Sequence, residues 1–327
     1  MKNIFISTLV LLTLGVGYFY TKNTEQDKKE FQVGIVYLLD HPAIAQGLDG
    51  FKKGIAKIEA KYNAKLNTTY SNAYGEIKNV NSILSSFKNT NKDIIIALTT
   101  PCAQVAKKTI QNKPIVFVGV TDPVQAGLID SLDSGKNNVV GTTSVVPYDK
   151  ILTLYKELYP NLKKIGIVYS QQEANSLVIL ERIKNIIKSK NLNLEIVPRS
   201  IINTNDIYKV TTALSSDVDS FMIINDSAIV SSMKIVLKVA KENNMPVFAS
   251  DIDTVKGGAL FTYGLNYKDE GLAASKLLED ILFKDRKPSD INIYINNKSY
   301  LYIHDELLKN QKLKESIKSN ATIIKSK

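Results

Sequence analysis

From Phe31 onward the chain alternates short apolar runs with longer amphipathic ones, and that alternation limits its possible folds more than any other feature. Phe31 to Leu39 (FQVGIVYLL) reads as a buried strand, and Pro42 to Tyr62 carries Ile44, Leu48, Phe51, Ile55 and Ile58 at helical spacing. The same grammar gives strands at 65–70, 93–98, 114–120 and 138–142, separated by helices at 76–89 and 101–110. It restarts with helix 148–158 and strand 164–169, helix 173–190 and strand 194–197, helix 204–214 and strand 220–225, then helix 228–242 and strand 246–249. Parallel neighbours need a long crossover, so this order predicts an α/β protein with parallel sheets covered by helices on both faces. The repeated plan predicts two similar lobes.

The 327 residues suffice for two lobes of ordinary size, and 44% hydrophobic with 23% charged residues is the balance of a folded soluble protein. Cys102 is the only cysteine, which excludes an internal disulfide, and His41 and His304 are too few for a His/Cys zinc site. The net charge of +10 comes from lysines spread along helical segments. They form no basic block or nucleic-acid-binding motif, so a solvated surface is expected and nucleic acid is not an expected partner.

Ile4 to Tyr20 is uncharged and follows Lys2, the pattern of a signal peptide or a retained anchor. Thr21 to Glu30 reads as a polar linker. Export is therefore expected, to the periplasm or the outer face of the cytoplasmic membrane, with residues 4–20 removed or serving as a tether. A lipidated cysteine just after the apolar run is excluded, because Cys102 lies far downstream.

Ligands of such sheets bind beyond the carboxyl ends of the strands. Those places hold Asp40-His41-Pro42, Thr99-Thr100-Pro101 and Thr121-Asp122-Pro123 in the first half. In the second half they hold Ser170 to Ser176, Asn225-Asp226-Ser227 and Ser250 to Asp253. Each has an ordinary structural role open to it: Thr-Thr-Pro is a normal helix start, Glu173 suits a first turn, Asp226 and Asp251 suit turns or caps, and His41 a loop or cap. Each also suits a ligand. Helix amino ends attract a carboxylate, and a half-enclosed aspartate holds an ammonium. Cys102 has no base near it in sequence and is read as a packed side chain.

The ordered segments GIVYLLDHPAIAQGLDGFKKGI, ALTTPCAQVA, PIVFVGVTDPVQAGLI, PNLKKIGIVYSQQEANS, IINDSAIVSS and MPVFASDIDTVKGGALFTYGLNYKDEGLAA resemble the ABC transporter substrate-binding protein family that includes tryptophan- and tyrosine-binding members. The resemblance covers roughly Phe31 to Leu308. It implies a type I periplasmic binding protein fold, with two Rossmann-like lobes joined by a three-crossing hinge that close over a small ligand and deliver it to a permease. The family's patterns carry over to Thr100 with Pro101, Thr121 with Asp122, Tyr169 with Glu173, Asn175 and Ser176, and Ser250 with Asp251. This chain lacks the lipidated cysteine of the lipoprotein members, which bears on membrane attachment but not on the cleft.

On this plan residues 31–145 and 252–284 form lobe 1, 146–251 and 285–320 form lobe 2, and 321–327 are a loose basic tail. The crossings fall at Thr142 to Tyr148, Ser250 to Lys256 and Phe283 to Pro288. Ala259 to Leu265 then returns to lobe 1, while Ile291 to Ile295 and Tyr300 to His304 join lobe 2. The expected ligand is an amino acid, with tryptophan, tyrosine or phenylalanine foremost on the strength of the resemblance. Its carboxylate would meet Thr100 or Asn175 and Ser176, its ammonium Asp251, Asp226 or Asp122, and its side chain Tyr37, Leu38, Pro101 or Tyr169. The expected partners are an ABC permease with its ATPase, the protein itself is expected to be monomeric, and no cofactor is expected. Enzymes are disfavoured, since no G-x-S-x-G, Walker or dinucleotide glycine motif occurs. A DNA-binding regulator would need a helix-turn-helix where the apolar stretch stands. A membrane-tethered sensor domain differs from a transport receptor chiefly in its partner.

Overall fold

A computed structural model describes residues 29–310 and 313–325. The apolar segment expected to direct export, Ile4 to Tyr20, lies outside the described residues, among which no helix is long and apolar enough to cross a membrane.

The first sheet contains β1 (Lys29–Tyr37), β2 (Ala64–Asn72), β3 (Ile94–Leu98), β4 (Ile115–Val120), β5 (Val139–Ser144) and β11 (Tyr294–Asn296), in the order β11-β5-β4-β3-β1-β2. All of its pairings are parallel. Its central strands are apolar on both faces, as a sheet between two helical layers requires; all of β3 (IIIAL) is buried. The second sheet, β7-β6-β8-β9, is built from β6 (Lys164–Ser170), β7 (Glu195–Ile201), β8 (Ser220–Ile223) and β9 (Val247–Ala249). Its faces bury separate clusters, with Phe221 and Ile223 in one and Met222 and Ile224 in the other, the two-residue period of a strand. A third sheet, β10-β12-β13, joins β10 (Phe261–Leu265), β12 (Ser299–His304) and β13 (Ala321–Ile324), and the Leu260 N–H donates to Val247 O beside it at 2.8 Å.

Three pairings correct the expected division of the chain. Phe261–Leu265 does not return to the first lobe: it pairs antiparallel with β12, and Phe261 and Leu265 pack with Tyr148, Phe248 and Ile303 in the second lobe. Tyr294–Asn296 joins β5 in the first lobe rather than the second, and Ile291 and Ile293 enter the first lobe's core. The chain therefore crosses after Ser144, after Leu265 and after Asn296. Both misplaced segments are short apolar runs whose sheet is decided by where the chain crosses, which periodicity does not encode. The tail expected to be loose contributes β13, parallel to β12. The helix expected at 228–242 is two, Ser227–Ser231 and Met233–Glu242, on either side of Ser232.

Helix α1 (Pro42–Tyr62) and the helix after the second crossing, Tyr267–Phe283, touch through glycine. A Cβ on Gly50 would lie 2.1 Å from Lys268 O, and one on Gly271 would lie 1.9 Å from Gly47 O. Backbones so close together fix the first turn of Tyr267–Phe283 beside the start of α1.

Candidate functional site

The carboxyl ends of β1, β3, β4 and β5 face those of β6, β8 and β9 across a cavity. The space between atoms there is about 680 Å³, counting the part that opens to solvent. The first lobe contributes His41, Ile44, Thr99, Thr100, Thr121 and Ser144, with Tyr267 and Glu270 from the glycine-packed helix; the second contributes Glu173, Asn175, Asn225, Asp226, Ser227 and Asp251. Ala43, Gly47, Leu98, Val118 and Val230 supply apolar wall.

Four carboxylates line it, Glu173, Asp226, Asp251 and Glu270, and none is more than 3% exposed. No lysine or arginine is among the described lining residues. Their hydrogen bonds divide them. Asp226 caps Ser227–Ser231 by accepting from the Ile229 N–H (3.1 Å), and its other oxygen accepts from the Ser170 N–H and the Ser176 hydroxyl, both at 2.7 Å. Asp251 caps Ile252–Lys256 through the N–H (2.8 Å) and hydroxyl (2.6 Å) of Thr254, and burial raises its pKa. Glu173 stands at the start of helix Ala174–Ser189 yet does not cap it. Its carboxylate reaches across to the Ser227 N–H (3.0 Å), the Ser227 hydroxyl (3.1 Å) and the Ala228 N–H (3.1 Å). Burial, and then the charge of Asp226, push its pKa up to about 8. Glu270 accepts from Ser144 (2.6 Å) and Asn296 (2.7 Å) on Oε1, and from Thr142 at 3.4 Å on Oε2; burial raises its pKa as well.

Three buried polar atoms of lining residues have no hydrogen-bond partner: His41 Nδ1, Thr99 Oγ1 and Asn175 Oδ1. His41 occupies the N-cap position of α1 but makes no capping bond, and burial lowers its pKa to about 4, against the opposing pull of Asp253 and Asp40. It is a neutral imidazole at pH 7. Thr99 has φ 76° and ψ 159°, a region that a β-branched residue enters only under strain. Unpaired buried polar atoms are costly, so three around one space mark it as built for a polar occupant.

Residues 32–325 match the model of the ABC transporter substrate binding protein family. The chain belongs to this family. It is 33% identical over 299 residues to a tyrosine-binding protein of Clostridioides difficile, covering 91% of this chain and 86% of that one. The solved structure of an ABC domain in complex with L-Trp from Streptococcus pneumonia superposes with a TM-score of 0.85 at 24% identity, over 90% of this chain and 99% of that one. The ligand-free, open structure of a substrate binding protein with adhesive properties from Clostridium difficile gives 0.66 at 31% identity, over 91% and 100%. The architecture is thus the type I periplasmic binding fold, and the protein is a substrate-binding protein.

Seven of the candidates from sequence line this cavity: His41, Thr100, Thr121, Glu173, Asn175, Asp226 and Asp251. The other seven do not. Leu38 is core, Pro101 is buried in the first turn of helix Thr100–Thr109, and Tyr169 packs at the margin of the second lobe's core. Tyr37 is half-buried beside Asp40, and burial followed by that charge raises its phenol pKa. Ser176 is spent on Asp226, and Ser250 bonds Asn225. Asp122 sits at the rim against Arg182. Sequence reasoning missed Glu270 and Tyr267, which lie in a helix with no signal beyond an acidic first turn; it named Thr99 within Thr99-Thr100-Pro101, but no residue pattern reveals the strain there.

Proposed function

We propose that this protein is the solute receptor of an ABC importer, binding an amino acid, preferably aromatic, between its lobes and presenting it to a membrane permease with its ATPase. The observation that carries the reading is a cavity between lobes lined by four buried acids and, among the described residues, by no lysine or arginine, with unpaired polar atoms on three of its lining residues. An acid-lined, largely desolvated space favours a cationic group. The carboxylate fits the opposite chemistry, the amino end of helix Thr100–Thr109 with the Thr99 hydroxyl, and Ala43, Ile44, Gly47 and Val230 offer apolar wall to a side chain. The names of the relatives support an aromatic ligand. Supporting a closed, ligand-ready arrangement, the overlay is better with the L-Trp complex than with the open structure, although the latter is more similar in sequence. On this reading the protein is exported, monomeric and not a catalyst.

Thermal shift across the amino acids tests it, because a ligand bound only by the folded state raises apparent stability by about 2.7 kcal/mol at a hundredfold excess over Kd. The chain has no tryptophan, so bound L-tryptophan would be its only indole and is excited selectively. A folded protein whose melting point no amino acid moves at millimolar concentration refutes the proposal.

A further inference from the structure

The three crossings meet at one side chain. Glu270 lies in the first turn of the helix that follows the second crossing. Its Oε1 accepts from Ser144, the last residue of β5 before the first crossing, and from Nδ2 of Asn296, the last residue of β11 before the third. The same Asn296 amide donates to the carbonyl of Asn266, in the second crossing, at 3.2 Å. One carboxylate oxygen thus ties together the segments that must twist when one lobe swings against the other. The other oxygen is differently placed. Oε2 has only the Thr142 hydroxyl at 3.4 Å, and it faces Gly119, a lining residue at φ 67° whose absent side chain leaves the approach open: a Cβ there would lie 3.2 Å from Oε2. Asp226 and Asp251, by contrast, have both oxygens occupied, Asp251 by Thr254 and Asp226 by Ile229 on one oxygen and Ser170 and Ser176 on the other.

We infer that Glu270 is the residue that couples ligand capture to lobe closure, Oε2 holding the cationic end of the ligand while Oε1 bolts the three crossings. The inference rests on the amino-acid reading of the cavity. A ligand cation at Oε2 orients the carboxylate and so selects the hinge geometry in which Ser144 and Asn296 both reach Oε1. Closure then depends on the charge that enters, not only on filling the space.

The test uses the full chain with L-tyrosine and its deaminated analogue 3-(4-hydroxyphenyl)propionate, reading affinity by calorimetry and hinge protection by hydrogen exchange at the crossings. In the wild type, L-tyrosine should bind more tightly than the analogue and slow exchange after Ser144, Leu265 and Asn296. Glu270→Gln, which keeps an acceptor for Ser144 and Asn296, should lose about 30-fold or more in affinity for L-tyrosine and under about 3-fold for the analogue, with the ligand-induced protection gone. Ser144→Ala, which spares the charge, should lose much of the protection. A folded Glu270→Gln protein with unchanged preference overturns the inference alone, as does unchanged protection in Ser144→Ala should the first variant not fold. A wild-type protein that binds neither L-tyrosine nor any other amino acid overturns the receptor reading and this inference with it.

Discussion

Asp122 Oδ2 lies 3.5 Å from Nη2 of Arg182, so a first-lobe loop is joined to a second-lobe helix at the rim of the cleft. Gln46 and Asp253 make a second link (2.8 Å), and Asn225 and Tyr267 a third (3.0 Å). Asp122, one of the residues expected to meet the ammonium, accepts with its other oxygen from the Gln125 N–H at 3.0 Å. Because both partners are partly exposed, the pair is screened and modest. Arg182→Ala should weaken ligand binding by no more than about 5-fold, less at high salt, without lowering the melting point of the unliganded protein. Titrations at two salt concentrations check this, and a loss that ignores salt would refute it.

Thr99 combines strain with an unpaired hydroxyl. Replacing it with glycine relieves the backbone, a gain of about 1 kcal/mol or less once glycine's extra chain entropy is counted. Thr99→Gly should therefore melt no lower than wild type while binding ligand about 10-fold more weakly, the cost of a lost charge-assisted hydrogen bond. Parallel melting and binding curves decide it: a loss of both stability and affinity would make Thr99 a structural residue only.

Gly50 has no room for a methyl group against Lys268 O. Gly50→Ala must push the two helices apart, and overpacking of this kind costs about 1–3 kcal/mol. The expected result is a melting point lower by several degrees together with weaker binding, since Tyr267 and Glu270 move with their helix. A variant that is stabilised, as helix propensity alone would predict, would show that the contact relaxes freely.

Glu173, raised to about 8, keeps a proton in the folded state that the unfolded chain releases near 4.5. Its contribution to stability is present below about 4.5 and is lost as pH rises toward 8. His41 acts in the opposite direction: the unfolded imidazole takes a proton below 6.5, which the folded one refuses until about 4, so stability falls as pH drops through that window. The two slopes oppose each other below 6.5, and between 6.5 and 8 that of Glu173 stands free of His41. The melting point should fall across this upper window, and Glu173→Gln should flatten the fall whatever it does to stability overall. An unchanged slope in the variant would assign the titration elsewhere.

The layout of strands and helices was legible because parallel strands buried on both faces read as unbroken apolar runs, as Ile94–Leu98 does. Strand ends were legible for the same reason, which is why His41, Thr100, Glu173 and Asp251 came forward as candidates. What a side chain does at a strand end was not. Asp226 and Asp251 line the cavity but spend their oxygens on hydrogen bonds within the second lobe, and Leu38, one residue past its strand, turns into the core. Glu270 was hidden more deeply, since its hydrogen-bond donors Ser144 and Asn296 lie far from it in sequence.

The third crossing also bears on how the molecule is made. The first lobe receives its last strand, Tyr294–Asn296, and the second lobe receives Ser299–His304 and Ala321–Ile324, from one short stretch of chain after the helix Tyr267–Phe283. Until residues 294–324 are in place, the first sheet lacks its β11 edge and β10 has no partner strand in its own sheet. Neither half is a separable module, and a premature stop after Lys284 would deprive both of a strand at once.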